Sequence, residues 1–330
     1  MIANFQDRAH VSSPQTSLSE YSRRMNKVLD HIDRHLDKPL DLAALAEVAN
    51  FSPFHFHRVF AGWMGETLGA YLRRRRLERG ALMLAGQPSL AVLNVALSVG
   101  FGSGEAFARA FKLHFGTTPT AWQRDTPKRW AEQSQTVANR QYRNLDQNVS
   151  KQSQEGHLEF TDNDLSQPLI MEMNMNVEIV ELPAANIVYM RHIGPYGPSI
   201  GAFWNTVFMP WLQANGLADR PRYGIGHDDP SITPPDKCRY DACVEVDEGF
   251  VVSGNALSAK LPGGRYAVAK FQGHTTEIAA AWIAMFRDWL PASGMQCDAR
   301  PCLERYPQHT QFNPKTGIFE CELCIPVKSL

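Results

Sequence analysis

The chain is expected to fold as two domains of different class. The first is an all-α double helix-turn-helix. The second is an α+β domain built from a duplicated strand–strand–helix–strand–strand unit. Three observations carry this expectation. The apolar period is helical as far as about residue 126 and turns to alternation from Met175 onward. Each of these two stretches repeats internally. Between them lies a Gln-, Asn- and Ser-rich stretch with no apolar period, a composition that cannot bury a core of its own. The layout that follows is an N-terminal tail over 1–19, a helical domain over 20–126, a polar linker over 127–174 and the α+β domain over 175–330. A length of 330 residues suits two domains.

From Glu20 to Leu36, apolar residues recur at helical spacing at Met25, Val28, Leu29, Ile32 and Leu36. Asp37-Lys38-Pro39 ends that helix, because proline disfavours helical geometry in the residue before it. Asp41 is an N-cap for a short helix over Leu42 to Ala49. Ser52 then caps, and Pro53 opens, a helix running to about Met64. Tyr71 to Ala85 is a further helix, carrying Arg73, Arg74, Arg75, Arg76 and Arg79. Leu90 to Val99 and Ser103 to Phe115 repeat the short-helix, turn, longer-helix order.

The repetition holds residue by residue. Ala46 and Phe51 recur as Ala96 and Phe101, 50 positions on. Arg58, Phe60, Gly65, Tyr71 and Arg73 recur as Arg109, Phe111, Gly116, Trp122 and Arg124, 51 positions on. A support helix, a tight turn and a second helix whose first residues enter the major groove make a helix-turn-helix. In the first copy Phe56, Val59 and Phe60 suit the core, leaving Phe54, His57 and Arg58 on other faces. In the second, Phe107, Ala110, Phe111 and Phe115 suit the core, leaving Gly104, Glu105, Ala106 and Arg109 outward. Arginine can read guanine through a bidentate pair, and glutamate can accept from cytosine. A lone arginine on a helix is ordinarily a solvated face. Part of the Arg73–Arg76 cluster is expected on phosphates, although four consecutive residues point all round a helix.

In the second domain, Val177–Leu182 and Ile187–His192 read as strands and Ile200–Asn215 as a helix, followed by strands near Arg222–Gly226 and Arg239–Val246. The order then returns. Leu182-Pro183 matches Leu261-Pro262, Gly194 matches Gly273 and Tyr240 matches Phe319 at 79 positions, and Trp211-Leu212 matches Trp289-Leu290 at 78. Two such halves would set helices on one side of paired antiparallel sheets, with a cleft between them, where ligands favour binding. Glu304 lies in an apolar strand context. Its plain reading is a carboxylate paired with Arg305 or a neighbour. Among aromatic rings it would suit a cationic or hydrogen-bond-donating amphipathic ligand. Cys321 and Cys324 have the CxxC spacing of a redox or zinc motif. On a strand, however, positions i and i+3 face opposite ways, so no metal site and no cofactor is expected.

Composition narrows the function classes. Hydrophobic residues at 44% and charged residues at 20% are ordinary for a globular chain, and no apolar run approaches the ~20 residues that span a bilayer. Met1 to Ser19 has no apolar core of a secretory signal, so a cytoplasmic location with free thiols is expected. The net charge of −1 alone argues against nucleic acid, but it is a cancellation. Residues 19–129 hold 16 Lys+Arg against 10 Asp+Glu, and residues 130–330 hold 16 against 23. That +6 on the helical half and −7 on the other point to a DNA-binding half.

Phe51-Ser-Pro-Phe-His-Phe-His-Arg-Val-Phe60 and the Gly100–Pro119 string, with its Gly-Phe…Phe-x-Arg-x-Phe-Lys…Phe-Gly-x-x-Pro frame, resemble the DNA-binding domain of the AraC/XylS transcription regulators. The likeness runs from about Tyr21 to Arg124. It implies seven helices in a homeodomain-like double helix-turn-helix joined by the Tyr71–Ala85 helix, double-stranded DNA as partner, and base reading by Phe54, His57, Arg58, Gly104, Glu105, Ala106 and Arg109. Gly104 and Ala106 offer little hydrogen-bond readout. Gly194-Pro-Tyr196, Gly226–Pro230, Arg239–Val246, Leu261–Ala267, Trp289–Gly294 and Cys302–Tyr306 resemble the GyrI-like effector-binding domain. That likeness implies a small-molecule pocket between the repeats, contacted by Tyr196, Trp204, Trp282 and Glu304. Together the two resemblances imply a ligand-responsive transcription regulator, more an activator than a repressor, with RNA polymerase as a further partner and no catalytic residues. Two alternatives stand beside it: the second domain as a small-molecule hydrolase using Glu304 as general base, or as a protein–protein interaction module.

Overall fold

The computed structural model describes residues 14–87, 89–126, 176–275, 277–298, 300–308, 310 and 318–329. The expected linker over 127–174 lies outside them. The helical domain consists of α1 (Pro14–Arg34), α2 (Leu42–Val48), α3 (Pro53–Met64), α4 (Leu68–Gly86), α5 (Val92–Ser98), α6 (Gly104–Phe115) and α7 (119–126). The expected caps form. The Asp41 carboxylate accepts from Ala44 N at 2.8 Å, and Ser52 Oγ accepts from His55 N with Pro53 in the first turn. Helices α3 and α6 end on Gly65 and Gly116, both left-handed at φ 66° and 73°. The turns before them differ. The first takes a left-handed Asn50, φ 51°. The second takes Gly100, φ 85°, where a Cβ would sit 2.6 Å from the Leu36 carbonyl oxygen.

Each helix-turn-helix has its own core, and α4 serves both. Leu68 and Tyr71 pack with Phe56, Phe60 and α1, whereas Leu77, Ala81 and Leu84 pack with Val95, Phe107 and Phe111. This explains a departure from the expected phosphate role of the arginine cluster. Helix α4 is wrapped by other elements, so most of its arginines turn inward. Arg74 pairs with Glu66 and Glu78 at 2.7 and 2.9 Å, Arg75 pairs with Asp33, Glu78 and Asp228, and Arg76 donates to the Leu36 and Lys38 carbonyls. Arg73 and Arg79 are exposed.

The second domain holds β1 (Val177–Leu182), β2 (Ala185–Ile193), α8 (Pro198–Phe203), α9 (Met209–Ala214), β3 (Arg222–Gly226), β4 (Arg239–Glu245), β5 (Leu257–Leu261), β6 (Gly264–Gly273), α10 (Ile278–Ala284), α11 (Leu290–Ala292), β7 (Met295–Cys297), β8 (Leu303–Tyr306) and β9 (Phe319–Ser329). The strands form one continuous antiparallel sheet, ordered β1-β6-β9-β8-β3-β4-β2-β5, with β7 on β9, rather than two paired sheets. Matching the repeats strand for strand makes this order a palindrome about the β8–β3 seam. Each half lends its first strand to the edge of the other. The pairing runs from Leu182↔Gly264 in one half to Ala185↔Leu261 in the other, so neither half closes its sheet alone.

Both helical segments contain a π turn, at Trp204–Phe208 and Met285–Trp289, each followed one residue later by a proline (Pro210, Pro291). Proline has no amide to donate back and crowds the carbonyl four residues earlier, which favours the wider turn. These turns lie 81 positions apart. Trp289 therefore stands where Phe208 stands, and Trp211 is not its counterpart. The helices cover one face of the sheet. Cys321 packs in the helix-side cluster and Cys324 in the cluster of the other face, so their sulfurs do diverge. No described helix is long and apolar enough to cross a membrane.

Candidate nucleic-acid interface and ligand cleft

The outward residues of α3 are where the helical pattern puts them. Phe56 and Phe60 are buried, while Phe54, His57 and Arg58 are exposed, Phe54 at 75%. The Arg58 guanidinium lies 5.9 Å from the Phe54 ring centre, one helical turn away, so the two form a joint aromatic–cationic surface. His55 is also exposed and is taken up by the Phe51 ring and the Tyr21 hydroxyl. On α6, Glu105, Ala106 and Arg109 are exposed. Gly104 differs. A side chain there would meet Leu93 of α5 at 3.5 Å, so the position faces the support helix rather than open space. Ser103 caps α6 through Ala106 N at 3.1 Å.

On the helix-covered face of the sheet, the β8–β3 seam builds the second candidate site. Glu304 pairs across the strands with Gly224, which pairs with Ala242 of β4. The Glu304 carboxylate accepts from the Tyr240 and Tyr306 hydroxyls, each at 2.9 Å, and the Trp282 side chain lies close enough to favour its charged form. Trp204 Nε1 donates to the Tyr240 hydroxyl at 3.2 Å, and its ring centre lies 5.4 Å from that of Tyr306. Gly224 makes the arrangement possible: a Cβ there would lie 1.9 Å from the Tyr240 hydroxyl and 2.6 Å from Glu304 Oε2.

Among the described residues, every group that bonds Glu304 is neutral. Burial raises its carboxyl above the usual range, and the donors from Tyr306, Tyr240 and Trp282 recover only part of that rise. The residue nevertheless keeps partial exposure. A partly exposed carboxylate among rings, with no counter-cation among the described residues, can hold a cation or a strong hydrogen-bond donor.

The structure thus brings Trp204, Trp282 and Glu304 together and adds Tyr240, Tyr306 and Gly224, which sequence reasoning did not single out. Tyr306 was discoverable, because it stands two residues from Glu304 on the same strand face. Tyr240 and Gly224 reach the site only through strand register. Tyr196 stands one ring further out, 6.2 Å from the Tyr240 ring centre. Its hydroxyl donates to the Arg239 carbonyl at 2.5 Å and accepts from Asp228 N at 3.3 Å.

Comparison with known proteins agrees with both halves. Residues 175–328 match the family described as the GyrI-like small molecule binding domain, and residues 45–125 match a helix-turn-helix domain family. The chain is 35% identical over 156 residues to the SPbeta prophage-derived protein YosT of Bacillus subtilis (strain 168), named as a transcriptional regulator, covering 47% of this chain and 100% of that one. It is 26% identical over 306 residues to the right origin-binding protein of Escherichia coli (strain K12), covering 90% and 95% of the two chains. It is 39% identical over 97 residues to the transcriptional regulator Rob of Salmonella typhimurium, covering 29% and 32%. The chain belongs to the AraC-type helix-turn-helix transcription regulators that carry a GyrI-like small-molecule-binding domain.

Proposed function

We propose that α3 and α6 read adjacent major-groove segments of double-stranded DNA, and that the cleft around Glu304 senses an amphipathic cation. DNA reading would fall to Phe54, His57 and Arg58 in the first unit and to Glu105, Ala106 and Arg109 in the second, with Gly104 admitting the close approach of Leu93. The ligand would be held by Glu304, Trp204 and Trp282, with Tyr196 at the outer wall. The chain would work in the cytoplasm as an activator, its helical domain (20–126) tethered to the sensor (175–330) through 127–174, with RNA polymerase as the partner recruited. In this reading the second domain binds and does not turn over its ligand.

The observation that carries the ligand class is the Glu304 carboxylate, bonded by two neutral hydroxyls and walled by rings. An ion-paired carboxylate would have no such need. The test is a fluorescence titration of the full chain with benzyltrimethylammonium and with its uncharged isostere neopentylbenzene. The cation is expected to bind more tightly, and Glu304→Gln is expected to remove that preference. Equal binding of the two probes by the unsubstituted protein would refute the class. Turnover of 4-nitrophenyl acetate that disappears in Glu304→Gln would make the domain a hydrolase instead.

A further inference from the structure

The segment 227–238 between β3 and β4 reaches out of the sensor domain and touches both helix-turn-helix units. Lys237 Nζ donates to the Met64 carbonyl, at the last residue of α3. Ile232 packs against the core of the second unit. Between these contacts, Asp228 is bound to Arg75 of α4, the helix that both units share. The Asp228 side chain has no exposed surface. It also accepts from Arg239 Nε and NH2 at 2.9 and 3.0 Å. Arg239 is 1% exposed and extends the network into the first unit, reaching Asp33 of α1 at 2.6 Å and the Tyr71 hydroxyl at 3.3 Å.

The root of the same segment is fixed in the ligand cleft. The Tyr196 hydroxyl bonds both Asp228 N and the Arg239 carbonyl, the two ends of the ion pair. Strand alternation sets the next residue, Tyr240, on the opposite face of β4, where it bonds Glu304. A group that moves Tyr240 or Tyr196 therefore moves the backbone that carries Arg239 and Asp228.

This geometry has a consequence for DNA reading. The cores of the two helix-turn-helix units are separate clusters joined through α4. A segment that grips α3, α4 and the second core together limits how the units can tilt against each other. Two recognition helices on one duplex must match the separation of the segments they read, so relative tilt becomes spacing preference. Buried ion pairs hold discrete geometries, which suits a brace with more than one setting.

We propose that segment 227–238 is a positioning element for DNA reading, which fixes the disposition of α3 and α6 and which Tyr196 and Tyr240 connect to the ligand cleft. It rests on the reading above, that both helices engage one duplex. Asp228, Ile232, Lys237 and Arg239 act through the recognition helices and touch no base themselves. Because coupling between sites is reciprocal, DNA of the preferred spacing also biases the cleft.

The test uses the full chain and a duplex selected by the unsubstituted protein from a random pool. One base pair is then inserted or removed between the two protected segments. The unsubstituted protein is expected to prefer the selected spacing by roughly tenfold or more, within the range of ordinary coupling. Lys237→Met and Ile232→Ser are each expected to lose most of that preference while keeping their affinity for a duplex that carries the first segment alone. A general loss of stability would weaken both kinds of duplex alike. Tyr196→Phe, which removes only the hydroxyl, is expected to lower the spacing preference as well. Folded loop variants that keep full spacing preference would overturn the proposal. A wild-type preference in Tyr196→Phe alone would overturn its connection to the cleft. Failure of the unsubstituted protein to select any duplex would refute the DNA reading itself, a separate outcome.

Discussion

Strand β4 separates two clusters of carboxylates that solve the same problem in opposite ways. On its helix-covered face, Glu304 is held by the Tyr240 and Tyr306 hydroxyls and, among the described residues, pairs with no cation. On its other face, Asp228, Asp33, Asp30 and Asp241 are gripped by Arg75, Arg191 and Arg239. Burial pushes up the carboxyls of Glu304, Asp228, Asp33 and Asp241. In the second the arginines more than reverse it, holding Asp228 at about 2 and Asp33 and Asp241 lower still. In the first nothing reverses it, and Glu304 stays raised. The paired cluster carries its own counter-charges and binds the two domains together. The other has no counter-charge among the described residues, the setting that the proposed cation site requires.

The largest effect should come from breaking the paired cluster. Arg239→Met leaves Asp228 and Asp33 without their main partner, and uncompensated buried charge of this kind costs about 3–5 kcal/mol. Urea unfolding of the full chain measures it, and a loss below about 1 kcal/mol would show that water or a shifted side chain replaces the arginine. Arginines outside both clusters should behave in the reverse manner. Arg58→Ala and Arg109→Ala are each expected to leave unfolding unchanged but to weaken binding to the selected duplex by roughly 1–3 kcal/mol. Unchanged affinity in both would refute the docking faces assigned to α3 and α6.

The smallest effect is also the most discriminating, because the two clusters should titrate with opposite sign. Asp228 sits at about 2 in the folded chain, below the ordinary ~3.9 of an unfolded aspartate. Its stabilisation is present above the unfolded value and is lost as pH falls through the folded one. Thermal melts should therefore drop between about pH 4 and pH 2. Glu304, with its raised carboxyl, favours folding below its unfolded value and loses that contribution as pH rises. Glu304→Gln should keep the hydrogen bonds from Tyr240 and Tyr306 without the charge, and should melt slightly higher than the unsubstituted protein at pH 8. A lower melting point at pH 8 would mean that Glu304 has a cationic partner after all.

The reading of the sequence was surest where structure is local. The caps at Asp41 and Ser52 depend on residues within a few positions, and they form. The outward faces of α3 and α6 follow from a 3.6-residue period around buried Phe56, Phe60, Phe107 and Phe111. Glu304, Trp204 and Trp282 were reachable through the resemblance to the GyrI-like domain. Tyr240 and Gly224 were not, because only the β3–β4 and β3–β8 registers place them against Glu304. The arginine run on α4 misled for a related reason: a basic string looks the same whether it meets phosphate or carboxylates from elsewhere in the chain.

The sequence by itself determined two modules, their duplications and the kinds of surface each presents, since periodicity and capping act over a turn or a strand. Tertiary structure alone decided the strand exchange between the repeats, the neutral setting of Glu304 and the bridge from Asp228 and Arg239 to α1 and α4. The bridge rests on pairs 11 and 206 positions apart. Nothing in local preference specifies such partners. Strand register chooses the first two, and in the bridge burial removes water, so that each charge must find an opposite one.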